Sequence, residues 1–302
     1  MQFDEIKNDH TSGAEELLVK SGLWLQQEAL SFSDSESVAQ LTDRFRKMGL
    51  DLVHAQPRMA PIINLVNRML DVCDHVGSST ELISSIAREI SLIPDNAQST
   101  KAEIARHLSV LLEPDSVIAT YSRSSMVMYA LRELVIKIPF RVILMESRPV
   151  MEGRIAAQEL REAGVPVTLV VDGAMSYAVE QASLVITGAD AFDDVHFINK
   201  IGTHPLALLC REFQKSLFVL ASSSKYLSDI NLLPPEQSKP GQEIWPELPN
   251  DSGIGIDNHY FENTPLSLVR GVVTERGVWR PGGKVFDSEF RANPWLLEQL
   301  SY

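Results

Sequence analysis

The sequence predicts an α/β protein in which an all-helical N-terminal domain, residues 1–112, precedes a C-terminal domain, residues 113–302, built on a parallel sheet. From about residue 12 to residue 110, apolar residues recur at helical spacing, and no segment is typical of a strand. Beyond residue 115, short β-branched runs alternate with helical ones. Continuous apolar strands separated by helices are typical of a parallel sheet covered on both faces, as in Rossmann-like folds.

The helical half begins with a predicted capping box. Ser12 precedes the amphipathic run AEELLVKSGLWL, and Glu15 follows it three positions later. Apolar residues at helical spacing recur in four further runs, VAQLTDRFRKMGLDLV, IINLVNRMLDVC, LISSIAREISLI and AEIARHLSVLL. The stretch from Ile93 to Asn96, which contains Pro94, interrupts this pattern and predicts a turn between two helices.

The α/β half contains five predicted strands. They cover 116–121, 141–145, 166–171, 184–187 and 217–221, with helical runs over 126–136 and 152–163. Residues 231–258 are rich in proline, glycine and acidic residues, which predicts a long surface excursion before the closing run TPLSLVRGVVTERG. In such sheets ligands bind beyond the carboxyl ends of the strands. A functional site is therefore expected at 120–125, 146–154, 172–176 and 188–190.

Composition excludes several classes of function. The formal net charge of −13 argues against direct nucleic-acid binding, because phosphate backbones require clustered lysine and arginine. No apolar run approaches the roughly 18 residues of a membrane span. The N-terminus MQFDEIKNDH is acidic and polar, so no secretory signal is expected. Two cysteines, Cys73 and Cys210, lie far apart, which favours a reduced, cytoplasmic setting.

Sequence motifs for the common cofactors are missing. No G-x-G-x-x-G follows a strand, and neither a P-loop nor a G-x-S-x-G elbow occurs. The seven histidines show no metal-ligand spacing. We therefore expect neither a cofactor nor a metal.

Polar residues follow the first two predicted strands. After the first strand, Arg123, Ser124 and Ser125 precede a helix, whose N-terminal N–H groups can bind an anion. The alternative is that Ser124 or Ser125 only caps the helix. After the second strand, Arg148 and Arg154 form a bidentate clamp on phosphate, or they are surface arginines at a helix start.

Two further groups follow later strands. Gly188 permits close approach of a ligand, and Asp190 is placed for proton transfer or hydroxyl binding, unless it is a turn residue. Asn199 and Lys200 precede another helix, where Lys200 is otherwise a solvated charge. We expect these groups to converge with the arginines and serines on one edge of the sheet.

The motifs at these positions resemble one superfamily. The runs ESRPVMEGRIAAQELREAGVPVTLVVDGAMSYAVEQASLVITGADAF and INKIGTHPLALLCREF resemble the superfamily that joins aldose-phosphate isomerases to the alpha, beta and delta subunits of initiation factor 2B. Its isomerases include methylthioribose-1-phosphate isomerase and ribose-1,5-bisphosphate isomerase. The resemblance spans roughly residues 115–280. Over the helical half it rests on Ser12-Gly13-Ala14 and on QPRMAPIINLVNRM, which looks like the family's Arg-Pro loop with Gln56 in place of arginine and Arg58 close by.

The resemblance implies a fold and an assembly. It implies a helical domain packed on a Rossmann-like domain, with a site for a sugar phosphate or nucleotide, including Arg58, in the cleft between them. It also implies a homodimer or larger assembly formed through the C-terminal domain. The apolar run TPLSLVRGVV is expected near that interface.

The resemblance also implies a chemistry. In the isomerases a cysteine opens the sugar ring as an acid, and an aspartate helps to move hydrogen between the first two carbons. That aspartate corresponds to Asp190. The Asn-Lys pair that contacts substrate hydroxyls or phosphate corresponds to Asn199 and Lys200, and two family arginines correspond to Arg148 and Arg154.

The cysteine of the isomerases is absent. Where their strand ends in a motif like Thr-His-Cys, this chain has Thr120-Tyr121-Ser122. A serine hydroxyl has a far higher pKa than a thiol, whose pKa is about 8.5. Tyr121, Ser122 and Arg123 are the candidates for a substitute acid. The initiation-factor alpha subunit also lacks the cysteine and resembles this chain around its Tyr-Ser-Arg segment.

Two functions therefore compete. We expect an initiation factor 2B-like protein that binds a sugar phosphate or a nucleotide, as a sensor or an assembly module. The alternative is an aldose-phosphate isomerase, of the ribose-1,5-bisphosphate or methylthioribose-1-phosphate type, that uses Asp190 with a non-cysteine acid such as Ser122. A third hypothesis is a protein–protein scaffold with a degenerate pocket.

Overall fold

The chain forms two compact units. The computed structural model describes residues 2–9, 13–33, 35–249, 252–282 and 292–300. Over these residues, one unit comprises Met1–Thr100, Ser224–Pro234 and Phe286–Tyr302, and the other comprises Lys101–Ser223 and Pro235–Val285. The first is helical and the second contains the sheets, which confirms the predicted α/β class with an N-terminal helical part.

Among the described residues that precede Ser116, the regular secondary structure is helical, with no strand. Their apolar stripes form a core in which Leu17, Leu41, Phe45 and Leu52 are fully buried. Each such side chain contributes about 1.5–3 kcal/mol of burial free energy. The helices are α1 (Phe3–Lys7), α2 (Ala14–Ala29), α3 (Val38–Ala55), α4 (Ala60–His75), α5 (Ser79–Ser91) and α6 (Ile93–Ser109).

Local signals explain where these helices begin. A capping box starts α3, because the Gln40 N–H donates to the Ser37 hydroxyl at 3.3 Å and the Ser37 N–H donates to the Gln40 side chain at 2.9 Å. The α2 helix takes Gly13 as its N-cap. The predicted cap Ser12 lies outside the described residues.

The turn predicted from Ile93 to Asn96 is wrong. The α6 helix begins at Ile93, so Pro94 lies in its first turn. An N–H in the first turn has no acceptor within the helix, and proline is therefore tolerated there. The break between α5 and α6 is the single residue Leu92.

The second unit is built on a seven-stranded sheet. Its strands are β1 (Ser116–Thr120), β2 (Phe140–Met145), β3 (Val167–Val170), β4 (Leu184–Gly188), β7 (Leu217–Leu220), β9 (Gly271–Thr274) and β10 (Gly277–Trp279). They lie in the order β10-β9-β7-β4-β1-β2-β3. The five predicted strands are confirmed within one or two residues and run parallel, while β10 pairs antiparallel with β9 at one edge.

Helices cover this sheet and complete its core. They are α7 (Ser125–Val135), α8 (Glu152–Glu162), α9 (Met175–Gln181) and α10 (Thr203–Glu212). Ile118 and Val142 from the strands lie fully buried in one cluster with Leu131 of α7 and Leu160 of α8. This packing fixes the starts of α7 and α8 beside the ends of β1 and β2.

A small antiparallel sheet was not expected from the sequence. It consists of β5 (Ala191–Phe192), β6 (His196–Lys200) and β8 (Phe261–Pro265), in the order β5-β6-β8. Asn199 and Lys200 are therefore the last residues of a strand, and Lys200 pairs with Phe261 across the small sheet.

The segment 231–258, predicted as a surface excursion, is mostly exposed but anchored at its end. The Asn258 amide donates to the Pro240 carbonyl at 2.9 Å and to the Glu243 carboxylate at 2.8 Å.

The apolar side chains of the run that follows, TPLSLVRGVV, are mostly buried. Leu266, Val272 and Val273 are buried inside the second unit, and the expectation that TPLSLVRGVV lies near an interface stays a prediction.

Candidate functional site

The site lies where three neighbouring parallel strands end. The β1 strand lies between β4 and β2 in the sheet, so Thr120, Met145 and Gly188 end on the same edge. Ser122, Arg148 and Asp190 each follow one of these ends within three residues.

A chain of hydrogen bonds fixes the backbone at this edge. Ser122 and Ser147 both have left-handed backbone conformations, with φ of 67° and 65°. The Ser122 N–H donates to the Ser147 hydroxyl at 2.8 Å. The N–H groups of Ser147 and Arg148 in turn donate to the Asp172 carboxylate at 2.8 and 2.7 Å. The loops after β1, β2 and β3 are thereby joined.

Glu152 joins Ser122 to Lys200. The Ser122 hydroxyl donates to Glu152 Oε1 at 2.8 Å, and Lys200 Nζ lies 3.0 Å from the same oxygen. The Lys200 side chain is only 6% exposed, and its ammonium lies 5.0 Å from the centre of the Tyr260 ring. A buried ammonium requires a counter-ion, and Glu152 supplies it.

Tyr121 is bound to the backbone beside this cluster. Its hydroxyl donates to the Ile201 carbonyl at 2.7 Å. Burial raises the pKa of Tyr121 far above its ordinary value, and the nearby carboxylates of Asp172, Glu152 and Glu262 raise it further.

The start of α7 presents backbone N–H groups at the same edge. Ser124 is the N-cap, and its hydroxyl accepts from the Val127 N–H at 3.5 Å, as the capping alternative predicts. Gly188 lies against this cap, since a Cβ there would be 2.3 Å from the Ser124 hydroxyl. Among the described residues, no group accepts from the backbone N–H groups of 123–126.

The three arginines predicted at this edge are each bound to a protein acceptor near the surface. The Arg123 guanidinium donates to the Glu159 carboxylate at 2.7 Å, and Arg154 donates to Glu146 at 2.7 Å. Arg148 donates to the Ile244 carbonyl at 2.9 Å. A ligand that uses any of these arginines must displace or share the existing acceptor.

Asn199 and Asp190 occupy different positions. The Asn199 side chain is buried, and its amide donates to the hydroxyls of Thr187 and Thr203, both at 2.9 Å. Both amide donors are thereby used within the fold. Asp190 is half-buried just beyond β4, and its N–H donates to the Ile198 carbonyl of β6.

A carboxylate already fills the N-terminus of α10. Glu262 Oε1 accepts from the N–H groups of Gly202 and His204 at 2.7 and 2.8 Å. Gly202 has a φ of 103° and lies so close to Tyr121 that a Cβ would be 2.5 Å from the phenol oxygen. The start of α10 is therefore not open to a ligand anion, whereas that of α7 is.

Gln56 and Arg58, from the loop that resembles the family's Arg-Pro loop, lie in the helical unit. The Gln56 amide is buried and donates to the carbonyls of Ile6 and Asp9, which ties α1 to α3. Arg58 donates to the Pro234 carbonyl.

Neither cysteine offers a reactive thiol. Burial raises the pKa of Cys73, in α4, to about 11 and that of Cys210, in α10, to about 12. Among the described residues there is no group of histidine, cysteine and acidic side chains that could hold a metal ion. The described helices are also too short or too polar to cross a membrane.

Four residues that build the site were not among the predicted site residues. Glu152 contacts Ser122, and Asp172 contacts the loop after β2. Tyr260 contacts Lys200, and Glu262 contacts the start of α10. Glu152 and Asp172 lie within the expected segments 146–154 and 172–176, and Glu152 begins the predicted helix that follows the Arg148-Pro149 segment.

Comparison with known proteins places the chain in a family. The model of the Initiation factor 2 subunit family matches residues 10–281. The chain is 30% identical over 280 residues to the eIF-2B subunit 2-like protein of Pyrococcus horikoshii, covering 92% of this chain and 94% of that protein. It is 26% identical over 257 residues to the ribose 1,5-bisphosphate isomerase of Archaeoglobus fulgidus, covering 83% and 81%.

A solved structure agrees with this assignment. The crystal structure of the translation initiation factor eIF-2B of Pyrococcus horikoshii OT3 matches with a TM-score of 0.75 at 28% identity, covering 93% of this chain and 96% of that one. The fold, the sheet-edge motifs and these matches lead to one conclusion: the chain belongs to the Initiation factor 2 subunit family.

Proposed function

We propose that this protein binds a phosphorylated sugar or a nucleotide at the strand-end edge, as an initiation factor 2B-like sensor or assembly module in the cytoplasm. The start of α7 carries the proposal. Its N–H groups at 123–126 have no acceptor among the described residues, and they directly follow Ser122 of the Ser122–Glu152–Lys200 cluster. A helix N-terminus favours a phosphate, and a hydroxyl-binding cluster beside it suits a sugar.

Binding is favoured over catalysis because the candidate acids are poor ones. The raised pKa of Tyr121 makes its phenol a weak proton donor. Arg123 stays charged and binds Glu159. The raised pKa values of Cys73 and Cys210 and their burial remove both thiols from consideration.

The first prediction is that phosphorylated ligands, but not free sugars, stabilise the protein. A thermal-shift screen with ribose phosphates, methylthioribose 1-phosphate and AMP should raise the melting temperature, with free ribose as the control. A ligand that binds only the native state adds about 2.7 kcal/mol at a hundredfold excess over its Kd. No shift with any of these compounds at millimolar concentration would contradict the proposal.

A second candidate function is aldose-phosphate isomerisation. The Ser122 hydroxyl donates to Glu152 at the sheet edge, so Ser122 is the proposed substitute for the missing thiol, with Asp190 moving the hydrogen. A turnover assay on each ligand that binds separates the two functions. Turnover at about one per second or faster would favour the enzyme.

We also infer that the protein is a homodimer or a larger homo-oligomer formed through the α/β unit. The support is the family membership and an open sheet edge at β3, where Leu169 and Val171 are exposed. Arg58 is proposed as a further phosphate ligand, on the resemblance of its loop to the family's Arg-Pro loop.

A further inference from the structure

A cavity of about 260 Å³ lies between α6 and α7. All the residues that line it belong to the second unit. The α7 helix starts at the strand-end edge and is 11 residues long, so its other end lies about 16 Å away. Glu133 and Leu134, in the last turn of α7, and Lys137, just beyond it, line the cavity. The cavity is therefore separate from the candidate site.

The floor of the cavity is apolar. Ala105 of α6 and Leu134 of α7 are buried there, and Ile138 is half-buried. The small side chains of Ala102 and Ala105 leave space that larger ones would fill, because packed helices normally leave no gap. The volume is close to the lower limit of ligand pockets, about 300 Å³, so the cavity suits a small molecule with a short apolar chain.

Two opposite charges line the same cavity without being paired. The side chains of Glu133 and Lys137 form no hydrogen bond or ion pair with any described residue. Opposite charges four residues apart at a helix end commonly pair, and here each stays available to a ligand. The C-terminal end of α7 carries a partial negative charge, which adds to Glu133 in attracting an ammonium group.

A second cation, Arg106 of α6, is fixed at the wall of the cavity. Its Nε and Nη2 atoms donate to the Glu103 carboxylate at 2.9 and 2.7 Å. The Thr274 carbonyl can only accept, so His107 Nδ1 donates to it and His107 Nε2 accepts from Arg106 Nη2 at 2.6 Å. The remaining nitrogen, Nη1, makes no hydrogen bond with any described residue. Arg106 therefore keeps donors for a ligand anion.

This combination of groups matches a zwitterion with an apolar chain. A simple carboxylate would use Lys137 and Arg106, but it would be repelled by Glu133. A simple amine would use Glu133, but it would be repelled by the two cations. A molecule that carries an ammonium and a carboxylate on one carbon satisfies both signs of charge, and its side chain can cover the apolar floor.

We propose that this cavity binds a free α-amino acid with an apolar side chain. Glu133 binds the ammonium group, Lys137 and Arg106 bind the carboxylate, and Ala105 and Leu134 contact the side chain. The inference does not rest on the proposed function, because it uses none of the residues at the strand-end edge.

Ligand-observed NMR titration of four compounds tests the proposal. They are leucine; 4-methylpentanoate, which lacks the ammonium; 3-methylbutylamine, which lacks the carboxylate; and glycine, which lacks the apolar chain. A ligand of this size is expected to bind with a Kd of about 1 mM. Leucine should bind at least about fivefold more tightly than each of the other three, the effect of one exposed charge pair or of a short buried chain.

Two variants isolate the carboxylate and the space. Glu133→Gln should reduce the preference for leucine over 4-methylpentanoate to about twofold or less, because the amide carries no charge. Ala102→Leu should abolish leucine binding by filling the cavity, and it should fold, since residue 102 is exposed and leucine favours helices. Glu162→Gln is the matched control, since Glu162 is an exposed glutamate of α8, outside the cavity, and all four affinities should stay unchanged.

Three outcomes would overturn the inference. The first is a wild-type protein that binds leucine no more tightly than 4-methylpentanoate and 3-methylbutylamine. The second is a full preference for leucine in Glu133→Gln. The third is displacement of leucine by ribose 5-phosphate, which would put leucine at the strand-end edge. The wild-type series needs no variant, so it decides the matter even where a variant fails to fold. Failure of every sugar phosphate to bind would overturn the proposed function and leave this inference standing.

Discussion

At the scale of single residues, the site depends on how Ser122 is held. Its left-handed backbone, its N–H bond to Ser147 and its hydroxyl bond to Glu152 place Oγ beside the Lys200 ion pair. A hydroxyl in this position is a hydrogen-bonding group, whereas a thiol would be an ionisable one.

Restoring the thiol at this position should create the only reactive cysteine of the native protein. In the wild type, the pKa values of about 11 for Cys73 and about 12 for Cys210, together with burial, should prevent reaction with Ellman's reagent at pH 8. Ser122→Cys should add one thiol that reacts without denaturant, because residue 122 is only half-buried. In guanidinium, two thiols should react in the wild type and three in the variant. Reaction of the native wild type would contradict the assigned burial.

Sequence reasoning located some of these residues and not others, for a physical reason. Asp190 and Ser122 were placed on one edge because parallel strands end together, a rule that needs only strand order. Glu152 and Asp172 lay within the expected segments but were not predicted as site residues, and Glu262 was missed, because each binds backbone or side-chain groups that are distant in sequence. Which carboxylate reaches which N–H depends on φ values such as those of Ser122 and Ser147, which residue type does not predict.

At the scale of elements, the start of α8 governs the site. Gly153→Ala should displace this start from β2, since the new Cβ meets the Met145 carbonyl at 2.1 Å. We expect a loss of about 1–3 kcal/mol in the free energy of unfolding, as for other overpacked positions. Denaturant titration measures it, and ligand affinity should fall because Glu152 moves.

A second glycine provides the control for this variant. Gly173 lies at the same sheet edge, after β3, and a Cβ there would meet no atom within 4 Å. Gly173→Ala should therefore leave stability within about 0.5 kcal/mol of the wild type. Equal stability of both variants would show that the start of α8 tolerates a side chain.

The elements themselves were predictable where burial is continuous. The strands β1, β2, β4 and β7 are almost wholly buried and mostly apolar, because helices cover both faces of the sheet. The strand β5 has two residues and β6 ends in polar Asn199 and Lys200, so neither gives that pattern. The hairpin of β9 and β10 did have a signal, since Gly277 closes its turn with a φ of 127°.

At the scale of the whole molecule, an acidic chain keeps its site cations paired internally. Glu152 pairs with Lys200, Glu146 with Arg154, and Glu159 with Arg123. The net charge of −13 adds a general repulsion toward anions. Any phosphorylated ligand must therefore be held by short-range donors such as the N–H groups of α7, which are insensitive to the net charge.

The last prediction concerns assembly. Light scattering at micromolar concentration should give a mass of at least about 67 kDa, twice the 33.6 kDa of the chain. Within the described residues the β3 strand pairs only with β2, and Leu169 and Val171 are exposed at its open edge. An open edge with exposed apolar side chains favours association, and a lysine placed there opposes it.

Val171→Lys should shift the mass toward 33.6 kDa. Val278→Lys, at the opposite sheet edge, should not. A single 33.6 kDa species in the wild type would overturn the assembly proposal, and an unchanged mass in Val171→Lys would exclude the β3 edge as the interface.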